Sequence, residues 1–555
     1  MITKIKRKII YIISLIKKNI NSLKDYRKYA KNFAIYIEEA KKNISGRENK
    51  SLLIVSGRGM NISWAQIWTL ISLSALKKGY KLFVLTYKKD TLLNKYYSLM
   101  PIQKIYYEDL NKEFDTDLPT NTIASIQKLQ SFEDYKCFYY NKSPLGQIAL
   151  STYSRHIGTG LIEIEKDEVK TFVNKWLVIL IKYMIISDII FKRHNIKALL
   201  TAEVFLEEYG AIYYSAITAG LNVIRTTGTV RDDAILFLHL SNKNDRFHQG
   251  SIPKSSFEYT QSLVWSEKQD KELSQNFIDR YGNKWHRSKR NQPNTFMLPI
   301  EEMRKRYNIP ENKKVSIIYS HILYDSLFFF GTDLFASYAE WLIESVKAAC
   351  ENNNVEWFVK VHPSNLWRGE LNSMLNGKYE EVRLIESAIG TLPPHIRIIP
   401  ADNDGISPYS WFQFADYGIT VRGTSGLEMA ALGQTVICAG TGRYEGNGFT
   451  VDPKNKEEYI SILKNIQEVP KLTDTQKLLA KKYAHTLFIR KPFHLTSFTL
   501  EPRYGVKTIK ASDDIIYLPN NSKKTFMTDI NIIAEWLEKT DRIDLLEGVD
   551  YALEK

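Results

Sequence analysis

The stretch SLLIVSGRGMNISWAQIWTLISLSALKKGYKLFVLTYK, Ser51 to Lys88, restricts the fold more than any other feature of this chain. An apolar, β-prone run at Leu52–Val55 meets a glycine turn, Gly57-Arg58-Gly59. A segment of helical period follows to Lys78, Gly79 stops it, and KLFVLTY resumes as a strand. Strand, helix and strand in that order make a βαβ unit, so the two strands lie parallel and the sheet is covered by helices. The turn lacks a full GxGxxG and is a weak nucleotide signal by itself. It still marks the carboxyl end of a strand, where such sheets take ligands.

The same logic returns in IKALLTAEVFLEEYGAIYYSAITAGLNVIRTTGTV, Ile196 to Val230. A strand ends near Ala202, acidic residues fill the turn, a helix runs to Ala219, and Gly220 leads into NVIRTT. A polar loop, NKNDRFHQGSIPKSS, comes next. Pro310 and ENKK read as a linker, and from VSIIYS onward strands and helices alternate to TVICAG. At 555 residues the chain exceeds one ordinary core. The expectation is an α/β protein with two Rossmann-like, doubly wound parallel-sheet domains facing a cleft. The boundaries expected are a basic amphipathic segment at 1–45, a first domain at 46–310, a second at 311–490, and a tail at 491–555 ending in a helix.

The formal charge of +14 asks for an acidic partner. No RNP-type motif, zinc-finger spacing or basic heptad pattern favours nucleic acid, and none is expected as a partner. Much of the charge lies in MITKIKRKIIYIISLIKKNINSLKDYRKYAKNF, whose apolar run Ile9–Ile16 is too short to span a bilayer. At helical spacing it has an apolar stripe and a Lys/Arg face. Two readings stand: a helix lying on an anionic membrane surface, or one packed on the protein's own body. The first places the chain in the cytoplasm, peripheral on the inner face of the plasma membrane. WLVILIKYMIISDIIF is interrupted by Lys182 and Asp188 and reads as a buried helix. Cys137, Cys350 and Cys438 have no metal-ligand or CxxC spacing and fit a reducing compartment.

In the second half, four pieces follow strands and so share one sheet edge. They are Ser320-His321, KVHPSN (Lys360, His362), PADNDG, and RGTSG (Arg422, Thr424, Ser425, Gly426). Histidine, lysine, arginine and a helix start converging on one rim suit a phosphate. Glu428, one turn into that helix, can accept sugar hydroxyls or only complement the helix dipole. DNDG lacks the glutamate of a calcium loop and reads as a turn.

These residues resemble the bacterial capsule polysaccharide biosynthesis family, which includes Kdo transferases. KVHP is followed by Ser425-Gly426-Leu427-Glu428-Met429-Ala430, then Gly433-Gln434-Thr435-Val436. Last come Gly440, Tyr444 and Gly446-Asn447-Gly448-Phe449-Thr450. The sequence departs at Gln434, where the pattern has proline, and in carrying Arg422; the resemblance covers about residues 315–455. It implies a metal-independent GT-B glycosyltransferase without a cofactor. Its donor would be a nucleotide-sugar, CMP-linked and Kdo-like first, and its acceptor a glycan or glycolipid. By that resemblance His362 and Thr424-Ser425-Gly426 would hold the nucleotide phosphate and Glu428 the ribose or sugar. The reading of the strand ends adds Ser320, His321, Lys360, Arg422 and Tyr444 on the donor side and Gly57, Arg58 and Gly59 on the acceptor side.

The facing domain must then supply a group that deprotonates the acceptor or attacks the sugar. The candidates are Glu203, Glu207 and Glu208 in TAEVFLEEYG, and Asp232 and Asp233 after TTGTVR. The alternatives are a UDP- or GDP-sugar transferase, a CDP-polyol phosphotransferase, and a non-catalytic scaffold of polysaccharide export.

Overall fold

A computed structural model describes residues 21–38, 50–114, 118–286, 288, 292, 294–325, 327–368, 378–502, 515–520 and 522–546. Two parallel sheets organise them. The first contains β1 (Ser51–Val55), β2 (Lys81–Thr86), β3 (Ile102–Tyr106), β4 (Ile196–Thr201), β5 (Asn222–Gly228) and β6 (Ala234–Leu240). The second contains β7 (Lys314–Tyr319), β8 (Val355–Lys360), β9 (Ile396–Ile399), β10 (Tyr417–Thr420) and β11 (Thr435–Cys438).

The parallel part of the first sheet is ordered β3-β2-β1-β4-β5, and the second sheet β9-β8-β7-β10-β11. Each is one doubly wound half, with its switch point between the first and fourth strands. The first sheet gains β6, antiparallel to β5, which the sequence pattern does not separate from the loop. Strands such as β1 and β7 are apolar on both faces because helices cover both faces.

One expected boundary moves, and both chain ends join the first domain's core. Helices Lys254–Ser262 and Glu267–Tyr281 fall within the expected first domain, but their Phe257, Leu273, Phe277 and Tyr281 lie in the second domain's core with Trp411 and Tyr483. The second domain therefore starts near Ile252, not at 311. The tail is no appendage. β12 (Phe493–His494) pairs antiparallel with β6. The hairpin β13 (Phe498–Pro502) and β14 (Ile515–Pro519) and the helix Lys523–Glu538 then pack on the first sheet through Tyr517, Phe526, Ile533 and Trp536.

For the basic segment, the described part follows one of the two readings left open. The helix over 21–38 buries Tyr29, Phe33 and Tyr36 in that same core. Tyr29 donates to the Gln66 carbonyl at 2.9 Å, and Tyr36 stacks on Phe526 at 3.6 Å between centroids. This part of the apolar stripe is used on the protein's own body. Residues 1–20 and 39–49, which carry the rest of the segment, lie outside the described residues. Among the described residues no helix is long and apolar enough to cross a membrane, and Lys182 and Asp188 sit within one 27-residue helix, Asp167–Arg193.

The loop after β7 reaches into the other domain. Phe329 and Phe330 are buried in the first domain's core against Phe205, at 5.2 and 5.8 Å. Ser151 donates to the Leu327 carbonyl at 2.8 Å, Arg246 donates to the Phe328 carbonyl at 3.2 Å, and Arg155 pairs with Asp325 at 2.6 Å.

Candidate functional site

A cleft of about 340 Å³ opens at the switch point of the second sheet. Its walls are the segments after β7 (Ser320, His321), after β8 (Lys360, His362) and after β10 (Gly423, Thr424, Ser425), with Glu428 from the helix Thr424–Ala431. Thr229 and Val230, from the β5–β6 turn of the first domain, form the facing wall. Residues separated by more than 100 positions meet here because parallel strands deliver all their carboxyl ends to one edge.

The Thr424–Ala431 helix presents its amino end to the cleft. Gly423 caps it in extended conformation, and its N–H is taken by Thr420 Oγ1 at 2.9 Å. The Gly426 amide bonds back to the Gly423 carbonyl at 3.1 Å, the Thr424 and Ser425 amides have no intrahelical acceptor, and the helix dipole adds partial positive charge there.

The side chains around it are prearranged. His321 Nε2 accepts the Val421 N–H at 3.1 Å, so the neutral ring carries its proton on Nδ1. Burial holds this histidine well below its ordinary value, helped by Arg422, His362 and Arg443, so it is neutral. His362 Nδ1 accepts the Ser364 N–H at 3.1 Å, which leaves the proton of the neutral form on Nε2. Lys360 is buried, donates to Asn403 Oδ1, and is brought down to about 7 by burial, with Asp402 pulling the other way.

Three residues expected to touch the phosphate stand behind the cleft. Arg422 is buried and turned to Asp333 and the Tyr338 hydroxyl. Gly426 gives closeness rather than contact with ligand: a Cβ there would lie 2.2 Å from the Tyr444 hydroxyl. That hydroxyl donates to the Gly423 carbonyl at 2.6 Å and ties down the helix start. Glu428 lines the cleft but is already paired with Arg280 at 2.5 Å.

Sequence reasoning missed Arg280, since the helix carrying it falls on the first-domain side of the expected boundary. It also missed Arg443, although that residue lies inside the motif between Gly440 and Thr450. Arg443 Nη2 donates to Thr424 Oγ1 at 2.6 Å, Nη1 to the Arg422 carbonyl at 2.8 Å and Nε to the Gly250 carbonyl at 3.3 Å.

None of the five acidic candidates lines this cleft. Asp232 accepts the His286 N–H at 2.5 Å, and Asp233 makes a two-pronged pair with Arg231 at 2.8 Å. Both fasten the β5–β6 turn. Glu203 caps the Val204 and Phe205 amides at 2.7 and 3.2 Å. Glu208 is fully buried and accepts the Arg58 N–H at 2.8 Å and the Tyr87 hydroxyl at 3.0 Å. It therefore shapes the Gly57-Arg58-Gly59 turn at the first sheet's own switch point. Gly57 is closely packed there, a Cβ falling 2.8 Å from Tyr209, whereas Gly59 takes a positive φ of 76° in open space.

Glu207 differs from the others. It holds a positive φ of 49°, unusual for a side chain of its kind, and accepts from His156 Nε2 at 2.6 Å. The imidazole lies edge-on to Phe172 and Trp176, both at 5.6 Å, in the segment where Gly160 donates to Glu380 of the second domain at 2.9 Å. The sequence does not single out His156, because its partner is 51 residues away.

Two doubly wound sheets, a cleft at the second switch point and a chain that crosses back define the architecture. The fold is GT-B-like. No family model matches the chain, and no curated protein matches it. Among solved structures it is similar to the β-Kdo 2,4-transferase of KpsC from Thermosulfurimonas dismutans, at 15% identity over 60% of this chain and 87% of that one, with a TM-score of 0.32. It is also similar to UDP-GlcNAc 2-epimerase from Neisseria meningitidis bound to UDP-GlcNAc, at 12% identity over 79% and 97% with a TM-score of 0.26. Anabaena HepE in complex with UDP and glucose gives 11% identity over 88% and 100% with a TM-score of 0.27. Likenesses of this size carry no weight for the chemistry, which rests on the cleft itself.

Proposed function

We propose that this chain is a glycosyltransferase of surface polysaccharide assembly that takes a nucleotide-sugar and passes the sugar to a glycan or glycolipid. The observation that supports it is the cleft, where Lys360, His362 and the open start of the Thr424–Ala431 helix converge opposite a wall from the other domain. In glycosyl transfer, negative charge grows on the departing phosphate as the anomeric bond breaks. Fixed N–H groups and cations placed there beforehand lower that barrier, and the protein's own groups suffice for it. A CMP-linked, Kdo-like sugar is the first choice for the donor, on the motif resemblance alone.

The acceptor hydroxyl needs a base from the other domain. Glu207 and His156, which lie outside the cleft's lining on the first domain, are proposed for that role, since the carboxylate orients the imidazole and a strained backbone fixes the carboxylate. The acceptor would be met on the inner face of the plasma membrane, with the basic residues ahead of 21 as the contact. Loss of binding to anionic vesicles on deleting residues 1–20 is the expected result, and unchanged binding refutes the contact.

The deciding experiment is a thermal-shift panel of CMP, CDP, UDP, GDP and their sugar conjugates, since a ligand bound only to the folded state raises its melting temperature. Selective stabilisation by CMP supports the reading in full. Stabilisation by UDP or GDP keeps the transferase and overturns the donor, and no shift at all sinks the nucleotide site. In turnover assays, His156→Asn should lower kcat by about 10²–10⁴-fold and leave the nucleotide Kd unchanged. Normal turnover in that variant removes His156 from the mechanism.

A further inference from the structure

Positive charge behind the cleft is unevenly matched. Arg280 is paired with Glu428, and Arg422 with Asp333. Among the described residues, no carboxylate forms an ion pair with Arg443. Its guanidinium is held by two carbonyls and one hydroxyl, and the nearby Glu445 carboxylate is occupied by the Gly442 and Arg443 amides at 2.7 and 2.8 Å. A cation removed from water with hydrogen bonds but no counter-charge favours an anion close by.

Among the described residues, the cleft-lining side chain to which Arg443 hydrogen-bonds is Thr424. Thr424 Oγ1 accepts the Arg443 Nη2–H at 2.6 Å, and Thr424 lines both the cleft and a smaller chamber of about 270 Å³ that also contains Arg443. A hydroxyl oxygen that accepts from a guanidinium turns its own proton outward. It then donates more strongly, because hydrogen bonds in a chain polarise one another.

Resting on the nucleotide-sugar reading above, we infer that Arg443 is a positioning residue that acts through Thr424. It commits the Thr424 hydroxyl as a donor to the leaving phosphate and supplies the positive charge that this phosphate balances. The side chain is placed from both domains, because its Nε bonds Gly250 in the crossover between them. Gly250 leaves room for it: a Cβ there would stand 2.7 Å from Nη2. Domain approach and phosphate recognition thereby meet at one guanidinium.

The test is a ladder of ligand charge in titration calorimetry: cytidine, CMP and CDP, with uridine, UMP and UDP alongside. Arg443→Met should weaken the phosphate-bearing ligands by about 10- to 100-fold and leave the nucleosides unchanged. Arg443→Lys should recover part of the loss. A general disturbance of the fold would weaken nucleoside and nucleotide alike, and that result overturns the relay. Thr424→Val should copy the Arg443→Met pattern, and the double variant should lose no more than either single one, since both break the same link. Additive losses refute action through Thr424. Should Arg443→Met fail to fold, Thr424→Val and Gly250→Ala carry the same comparison, with nucleoside affinity as the control. If the unaltered protein binds no nucleotide, the transferase reading and the relay fall together. If it binds and Arg443→Met binds equally well, only the relay falls.

Discussion

Lys360 brings an ammonium into a buried position at the end of β8, and burial lowers it from 10.5 to about 7. An anion in the cleft favours the charged form, so binding takes up a proton above that value. Nucleotide affinity should therefore fall as pH rises past about 7, by up to about tenfold per unit, and Lys360→Met should flatten the profile. Without ligand the sign differs. Between about 7 and 10.5 the unfolded chain holds a proton on Lys360 that the folded chain lacks, so this residue's contribution to stability grows with pH. Glu381 behaves oppositely: burial raises it from 4.5 to about 7, the folded state keeps a proton that the unfolded state has lost, and stability falls as pH rises through that window. The ligand-free melting temperature should dip near neutral pH. Lys360→Met should remove the alkaline recovery and Glu381→Gln the acidic one; a flat profile in the unaltered protein contradicts both placements.

At the scale of elements, the strand-end pieces were readable because one residue-type pattern, an apolar run followed by a short polar turn, identifies a parallel strand's carboxyl end. His321, Lys360, His362, Thr424 and Ser425 reach the cleft for that reason. Four of the acidic candidates, Glu203, Glu208, Asp232 and Asp233, hold the backbone or pair with a cation. The sequence does not show this, because acidity in a turn looks alike whether it faces substrate or holds the fold. Only the partner tells, and for Glu208 the partner Arg58 is 150 positions away. The helix at 267–281 was assigned to the wrong domain since an amphipathic stripe says that a face is buried but not against which sheet. The Thr424–Ala431 helix itself depends on the contact between Gly426 and Tyr444. Gly426→Ala should push the Tyr444 hydroxyl off the Gly423 carbonyl, costing about 1–3 kcal/mol by denaturant titration, and weaken nucleotide binding with it. Unchanged affinity would show that the helix start does not hold the ligand.

For the molecule as a whole, the two domains were visible in the alternation of strands and helices, but their connection was not. Aromatic side chains from the loop after β7 lie inside the first domain's core, so separating the domains means withdrawing Phe329 and Phe330 from apolar surroundings. Phe329→Ala should cost about 3–5 kcal/mol and split the calorimetric transition in two as the domains lose their coupling. A single unshifted transition would show that the wedge couples nothing.

The return of the chain to the first sheet has a consequence for biosynthesis. As the polypeptide leaves the ribosome, the first domain emerges early yet lacks β12, the hairpin and the 523–538 helix, which cover Trp68, Phe237 and their neighbours. The second domain, contained between about Ile252 and His485, has all its strands before those pieces appear. The part begun first is finished last, and during that interval its uncovered apolar face is the natural point for a chaperone to engage or for nascent chains to stick together.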